Sequence, residues 1–114
     1  MSKRDLDLLL EDILESCQKI KKYTKDYSYD DFLNDDKTID AVVRNFTIIG
    51  EACSKIEPDF KSVNPQIQWR EIKDFRNRIV HDYNGINYEV VWEIIIKYID
   101  ELEFQIDNLI KEIE

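Results

Sequence analysis

Apolar residues recur along this chain at alternating spacings of three and four positions, and this period constrains the fold more than any other feature. It is clearest in the middle of the first half, at Ile39, Val42, Phe46, Ile49, Cys53 and Ile56. This spacing places all six side chains on one face of an α-helix, whereas a β-strand would need apolar residues at every second position. The segment is therefore predicted to be an amphipathic helix.

Three further segments have the same period, so the sequence predicts four helices. The first has its stripe at Leu6, Leu10, Ile13, Cys17 and Ile20, and the third at Trp69, Ile72, Phe75 and Ile79. The fourth is the longest and keeps a heptad register through Trp92, Ile95, Ile99, Leu102, Ile106, Leu109 and Ile113. Strand-like alternation is absent from the sequence, and two glycines and two prolines leave little material for hairpin turns.

Capping residues mark the ends of these segments. Ser28 and Asp31 form a capping-box pattern that predicts a short extra helical turn, and the run 34–36 and Asn87 are placed to cap the second and fourth helices. Pro58 ends the second helix, and the Asn-Gly pair at 84–85 ends the third. Because the loops are short, we expect one all-α domain over residues 1–114, an antiparallel up-down four-helix bundle.

The fourth helix carries more apolar residues than one stripe needs, and the extra ones are Val91, Ile94, Ile96, Tyr98 and Phe104. This surplus predicts a second contact surface and a homodimer that uses the third and fourth helices. Gly50 lies in the middle of the second helix, where glycine costs about 1 kcal/mol relative to alanine. We expect it to permit the close approach of another helix.

The sequence contains no apolar run long enough to span a membrane and no pattern typical of a signal peptide. Cys17 and Cys53 fall on apolar helix faces and are expected to be reduced and buried. The protein is therefore expected to be cytoplasmic. The aspartates between positions 26 and 36 surround predicted turns, so a solvated, capping role is favoured over a metal site. No metal or cofactor is expected.

Residues 61–81, called the basic segment below, differ from the rest of the chain in charge. They contain five basic and two acidic residues, whereas the remainder contains 11 basic and 23 acidic ones. The segment also holds the chain's single histidine, His81, together with Arg76, Asn77 and Arg78. An imidazole can take up and return a proton near neutral pH, and a guanidinium stabilises phosphate charge. The combination suggests phosphodiester chemistry without a metal.

Two interpretations of the basic segment remain open. It can be an ordinary exposed helix in which Arg78 pairs with Asp74 and His81 is a cation at the helix end. It can also be a functional site. In that case the helical geometry matters, because at roughly 100° per residue Arg76 lies about 140° from His81 around the helix axis. Either the helix ends before His81, or the site combines groups from two copies of the chain.

Residues 76–83 have the form R-x4-H-x-Y, with the polar Asn77 directly after the first arginine. Upstream lies the segment Ile48-Ile49-Gly50-Glu51-Ala52, and further similar blocks occur at residues 64–70 and 91–92. In the order and spacing of these blocks, the chain resembles the HepT-like toxins of the HEPN superfamily over nearly its whole length.

This resemblance implies a dimeric all-α bundle in which two copies of the motif face one composite cleft. It implies a metal-independent endoribonuclease that acts as the toxin of a type VII-like toxin–antitoxin system, with a minimal nucleotidyltransferase of the MntA type as antitoxin. Arg76 and His81 match the catalytic pair, and Asn77 and Arg78 are taken as supporting residues. Tyr83 matches the tyrosine that such antitoxins AMPylate.

Two other functions compete with this one. The chain can be a non-catalytic nucleotide-binding or regulatory subunit of a minimal nucleotidyltransferase, with Arg76, Arg78 and His81 holding phosphates. It can also be a structural dimeric bundle whose basic segment is only surface. The sequence pI near 4.6 argues against strong long-range attraction of RNA, so binding would depend on the local basic segment.

Overall fold

The computed structural model describes residues 1–81 and 85–114, which form seven α-helices and no strands within those ranges. In chain order the helices are α1 (Lys3–Tyr23), α2 (Tyr29–Leu33), α3 (Asp36–Lys55), α4 (Pro58–Ser62), α5 (Trp69–His81), α6 (Tyr88–Lys97) and α7 (Ile99–Ile113). No helix of the described residues is long and apolar enough to cross a membrane. The predicted all-α fold class is confirmed.

The helices α1, α3 and α7 form the scaffold of the bundle, with α1 in contact with both others. The amino group of Met1 pairs with Glu57, which lies just beyond the end of α3. At the other end of α1, Lys21 Nζ lies 2.6 Å from Asp100 Oδ1 and 2.9 Å from Glu103 Oε2, near the start of α7. These contacts make α1 antiparallel to both neighbours, as the bundle prediction requires.

The core lies where the predicted stripes meet. All six residues of the α3 stripe are buried, and so are Leu10, Ile13, Cys17 and Ile20 of α1. Cys17 and Cys53 are free thiols, as predicted, and burial raises the pKa of each to about 12. Both thiols therefore remain protonated at neutral pH and act as small apolar core residues.

The predicted caps are present. Ser28 and Asp31 exchange hydrogen bonds at the start of α2, and Asp35 Oδ1 accepts from the backbone N–H of Thr38 at the start of α3. Asn87 Oδ1 accepts from two backbone N–H groups at the start of α6. Within α2, Phe32 is fully buried against Trp92 of α6, with ring centroids 5.3 Å apart. This short helix closes the bundle against α3 and α6.

The prediction of one continuous fourth helix is wrong, because the structure divides this segment into α6 and α7. The backbone leaves helical geometry at Tyr98 (φ −122°, ψ −23°), although Tyr98 N–H still bonds to Ile94 O and Leu102 N–H to Tyr98 O. The sequence predicts Val91 on the surplus apolar surface of this helix, but this residue is fully buried in the core. Ile96, Tyr98 and Phe104 are exposed, as that prediction requires.

The structure also contains α4, a five-residue helix that is not among the four helices predicted from the sequence. Pro58 occupies the first turn of α4, where its missing N–H and fixed φ are compatible with helix. The same proline follows the end of α3 at Lys55, so it both terminates one helix and begins the next.

Candidate functional site

Helix α5 carries the predicted site residues Arg76, Asn77, Arg78 and His81, and it packs on α3. Ile79 is the one buried residue within Trp69–His81. Phe75 is half-buried and meets Phe46 of α3 edge to face, with ring centroids 5.1 Å apart. A narrow apolar stripe thus fixes α5 to α3 and leaves most of the helix surface to solvent.

Arg76 crosses α3 at Gly50. A methyl group on Gly50 would overlap Cβ and Cγ of Arg76, so the missing side chain provides the room for the arginine stem. The predicted close approach at Gly50 is confirmed, and the group that approaches is this side chain. Because of this packing only 30% of the Arg76 side chain is exposed.

The guanidinium of Arg76 has two polar contacts. Nη1 donates a hydrogen bond to Asn77 Oδ1 at 3.1 Å, and Nη2 donates to Glu51 Oε1 on α3 at 3.4 Å. Its Nε is buried and has no hydrogen-bond partner in the described part of the chain. Asn77 and Glu51 therefore hold the guanidinium at the α3–α5 contact, from two different helices.

His81 is exposed and belongs to the same helix as Arg76. Of the two alternatives left open by the sequence, a helix that ends before His81 is therefore wrong. Arg76 is directed toward α3, whereas His81 lies roughly 140° away around the helix axis. The two side chains therefore leave the helix in different directions.

The ion pair between Arg78 and Asp74, which belongs to one of the two interpretations left open above, is not formed, although both residues belong to the described part of α5 and are exposed. Arg78 is therefore not held by that carboxylate. Tyr83 lies outside the described residues, and so does Asn84 of the Asn-Gly pair predicted to end this helix.

An apolar cavity of about 280 Å³ lies between α3, α5 and the junction of α6 with α7, and we call it the α5 groove. Its apolar lining includes Phe46, Ile49, Ile72, Phe75, Ile94, Tyr98, Ile99 and Leu102. Glutamine and glutamate side chains also line it, among them Gln66, Glu71 and Glu101. The groove thus adjoins the predicted third and fourth helices, where the surplus apolar residues indicated a contact surface.

Glu51 is absent from the residues predicted for the site from the sequence. It belongs to the segment 48–52 that carries the family resemblance, but it lies 25 positions from Arg76 in sequence. Nothing in helical periodicity indicates which residue of α3 faces a given residue of α5. Within residues 1–81 and 85–114, no group of three or more His, Cys, Asp or Glu side chains is arranged to hold a metal ion.

Comparison with known proteins decides the family. The family model described as ribonuclease HepT-like matches residues 13–109. The chain belongs to the HepT-like family. The resemblance seen in the R-x4-H-x-Y segment is thereby confirmed at the level of the family.

Two relatives of this HepT-like chain cover nearly its full length. A Methanocaldococcus jannaschii protein named "Putative RNase MJ0127" is 40% identical over 114 residues, which are 100% of this chain and 94% of that protein. A Thermococcus cleftensis protein named "Probable ribonuclease HepT" is 39% identical over 102 residues, 90% of this chain and 93% of that protein. No solved structure matches the chain.

Proposed function

We propose that this HepT-like protein is a metal-independent endoribonuclease whose active site combines Arg76 and His81 from two copies of the chain. The observation that carries the proposal is that Arg76 and His81 belong to one continuous helix, on which helical geometry separates them by roughly 140° around the axis. RNA as the substrate is supported by the names of the two relatives, which both describe ribonucleases.

In the proposed reaction the ribose 2′-oxygen attacks the adjacent phosphorus, and the bond from phosphorus to the 5′-oxygen breaks. One His81 takes the proton of the 2′-hydroxyl, and the His81 of the other copy gives a proton to the leaving 5′-oxygen. Arg76 stabilises the charge that develops on the phosphoryl oxygens, because its guanidinium is already oriented by Asn77 and Glu51. The products are a 2′,3′-cyclic phosphate and a free 5′-hydroxyl.

Mutation of the two catalytic residues tests this mechanism. We expect His81→Ala and Arg76→Gln each to lower cleavage of a single-stranded RNA by at least about a hundredfold. Glutamine is used at position 76 because it keeps the part of the stem that packs over Gly50. EDTA is expected to leave the wild-type rate unchanged, and an oligonucleotide of the same sequence without 2′-hydroxyls is expected to remain intact.

Cleavage by His81→Ala at the wild-type rate, or loss of activity with EDTA, would overturn the proposed mechanism. A wild-type protein that binds nucleotides tightly but never cleaves RNA would instead favour the non-catalytic subunit.

The second copy of the chain is proposed to dock over the α5 groove. The apolar lining and the exposed Tyr98 at its edge form a surface that a partner would cover, and the groove lies beside the helix that carries both catalytic residues. Tyr98→Asp is expected to give a monomer by light scattering at micromolar concentration and to abolish cleavage. Leu8→Asp on α1 is the matched control, because Leu8 is 50% exposed and Tyr98 46%. A dimer that survives Tyr98→Asp would place the interface elsewhere.

Regulation by a minimal nucleotidyltransferase is proposed from the match of Tyr83 to the tyrosine modified in this family. An AMP group two residues from His81 would add negative charge and bulk where RNA must bind. Co-expression with such an enzyme is expected to raise the intact mass by AMP units and to silence cleavage. Tyr83→Phe should abolish the mass increase, and a modified protein that cleaves RNA at the unmodified rate would refute the proposed silencing by AMPylation.

A further inference from the structure

We infer that Glu51 of α3 is a positioning residue for Arg76. The inference rests on the proposed function, because it gives Arg76 a role in charge stabilisation and assigns Glu51 the task of orienting it. It places part of the catalytic machinery on α3, outside the R-x4-H-x-Y segment.

The first argument is that Arg76 is constrained along its whole length. Cβ and Cγ lie in the space left open by Gly50, so the stem follows the α3 backbone. At the far end Nη1 bonds to Asn77 and Nη2 bonds to Glu51. An unrestrained arginine samples many rotamers, and fixing it in advance reduces the entropy that must be lost when the transition state forms.

The second argument counts the donors of the guanidinium, which has five N–H groups. One is used for Asn77, one for Glu51, and the N–H on Nε is buried. One N–H remains on each terminal nitrogen, and two N–H groups are what a bidentate contact with a phosphate requires. The contact with Glu51 therefore leaves one N–H on each terminal nitrogen for a phosphate.

The third argument is that stability does not explain the pair. The side chain of Glu51 is 49% exposed and the distance between Nη2 and Oε1 is 3.4 Å. An exposed ion pair of this kind contributes little to the free energy of unfolding. The more specific consequence of the contact is that Glu51 orients the guanidinium of Arg76, whose stem already packs against Gly50.

The test compares Glu51→Ala and Glu51→Gln, with Asp40→Asn as the control for loss of one exposed negative charge on the same helix. We expect Glu51→Ala to lower kcat by about ten- to a hundredfold with little change in KM, because orientation matters most in the transition state. Glu51→Gln keeps an oxygen acceptor and should restore most of kcat. Asp40→Asn should behave as the wild type.

Two kinetic results would overturn the inference. A faster Glu51→Ala variant would mean that the carboxylate competes with RNA for Arg76. A Glu51→Gln variant as inactive as Glu51→Ala would mean that the carboxylate itself takes part in proton transfer.

A measurement without RNA separates this inference from the proposed function. The N–H signal of Arg76 Nε, identified by its loss in Arg76→Gln, reports by NMR relaxation how rigid the guanidinium is. We expect its order parameter to fall in Glu51→Ala and to remain high in Glu51→Gln. An unchanged order parameter in Glu51→Ala would refute the positioning role whether or not the protein cleaves RNA. A decrease in a protein that fails to cleave RNA would support the role while the proposed function fails.

Discussion

Helices α3 and α5 pack against each other, yet they differ sharply in how much of each is buried. Eight of the 20 residues of α3 are buried, against one of the 13 residues of α5. Burial of apolar surface is the main source of stability, so α3 contributes far more to the free energy of unfolding than α5 does. The difference shows that the scaffold and the candidate site are largely separate, and that they meet where Arg76 lies over Gly50.

Truncation of a buried residue in α3 should test this division most strongly. Ile39→Ala removes a side chain that is 6% exposed and is expected to cost about 2–5 kcal/mol of the free energy of unfolding. Val80→Ala on α5 is the matched control, since Val80 is 43% exposed and its truncation should change that free energy by no more than about 0.5 kcal/mol. Urea denaturation measures both, and equal losses would show that α5 is as important for stability as α3.

Substitution of Gly50, where the α3 scaffold meets the candidate site on α5, should affect both the free energy of unfolding and the rate of RNA cleavage. Gly50→Ala gains helix propensity, but its methyl group overlaps the fixed stem of Arg76 and forces α5 to shift. We expect a net loss of about 1–2 kcal/mol in the free energy of unfolding, together with a lower kcat for RNA cleavage.

Gly85→Ala is the control, because a Cβ there meets no atom within 4 Å. A stable and fully active Gly50→Ala variant would mean that Arg76 is free to adopt another path.

The smallest expected effect concerns Asp35, the N-cap of α3, which lies far from the proposed active site. The hydroxyl of Tyr27 donates to Asp35 at 2.6 Å and, with Thr38, lowers the pKa of Asp35 from 3.8 to about 2. A lowered pKa in the folded state means that the carboxylate stabilises the fold above pH 4 and that this contribution is lost as the pH falls toward 2.

Asp35→Asn should therefore melt slightly below the wild type at pH 7, and the gap should narrow between pH 4 and pH 2. A gap that stays constant over this range would show that the ionised form of Asp35 has no special role. Cleavage of RNA at neutral pH should be unaffected.

The sequence correctly predicted the helices in which the apolar residues that recur every three or four positions are also the buried ones. All six residues of the α3 stripe are buried, and the caps at Ser28, Asp35 and Asn87 are formed. The break at Tyr98 was not predictable, because the heptad register continues through it and the segment contains neither proline nor glycine. The five residues of α4 are too few to show a period.

The candidate site was predicted only in part, for a different physical reason. The angular separation of Arg76 and His81 followed from helical geometry alone. The contact between Arg76 and Glu51 depends on how α5 is rotated and shifted against α3, and no pattern within either helix sets that register. The roles of Arg76, His81 and Tyr83, the dimer and the antitoxin partner remain predictions.

The angular separation of Arg76 and His81 on α5 has a consequence for how RNA cleavage would depend on the concentration of the protein. If a complete site forms only between two chains, scarce protein is inactive because its chains rarely meet, and cleavage rises with the square of concentration until most chains are paired. A small change in synthesis or degradation would then produce a larger change in RNA cleavage. The positions of Arg76 and His81 around one helix would thus make RNA cleavage depend on a threshold concentration of the protein, even before any second protein acts on it.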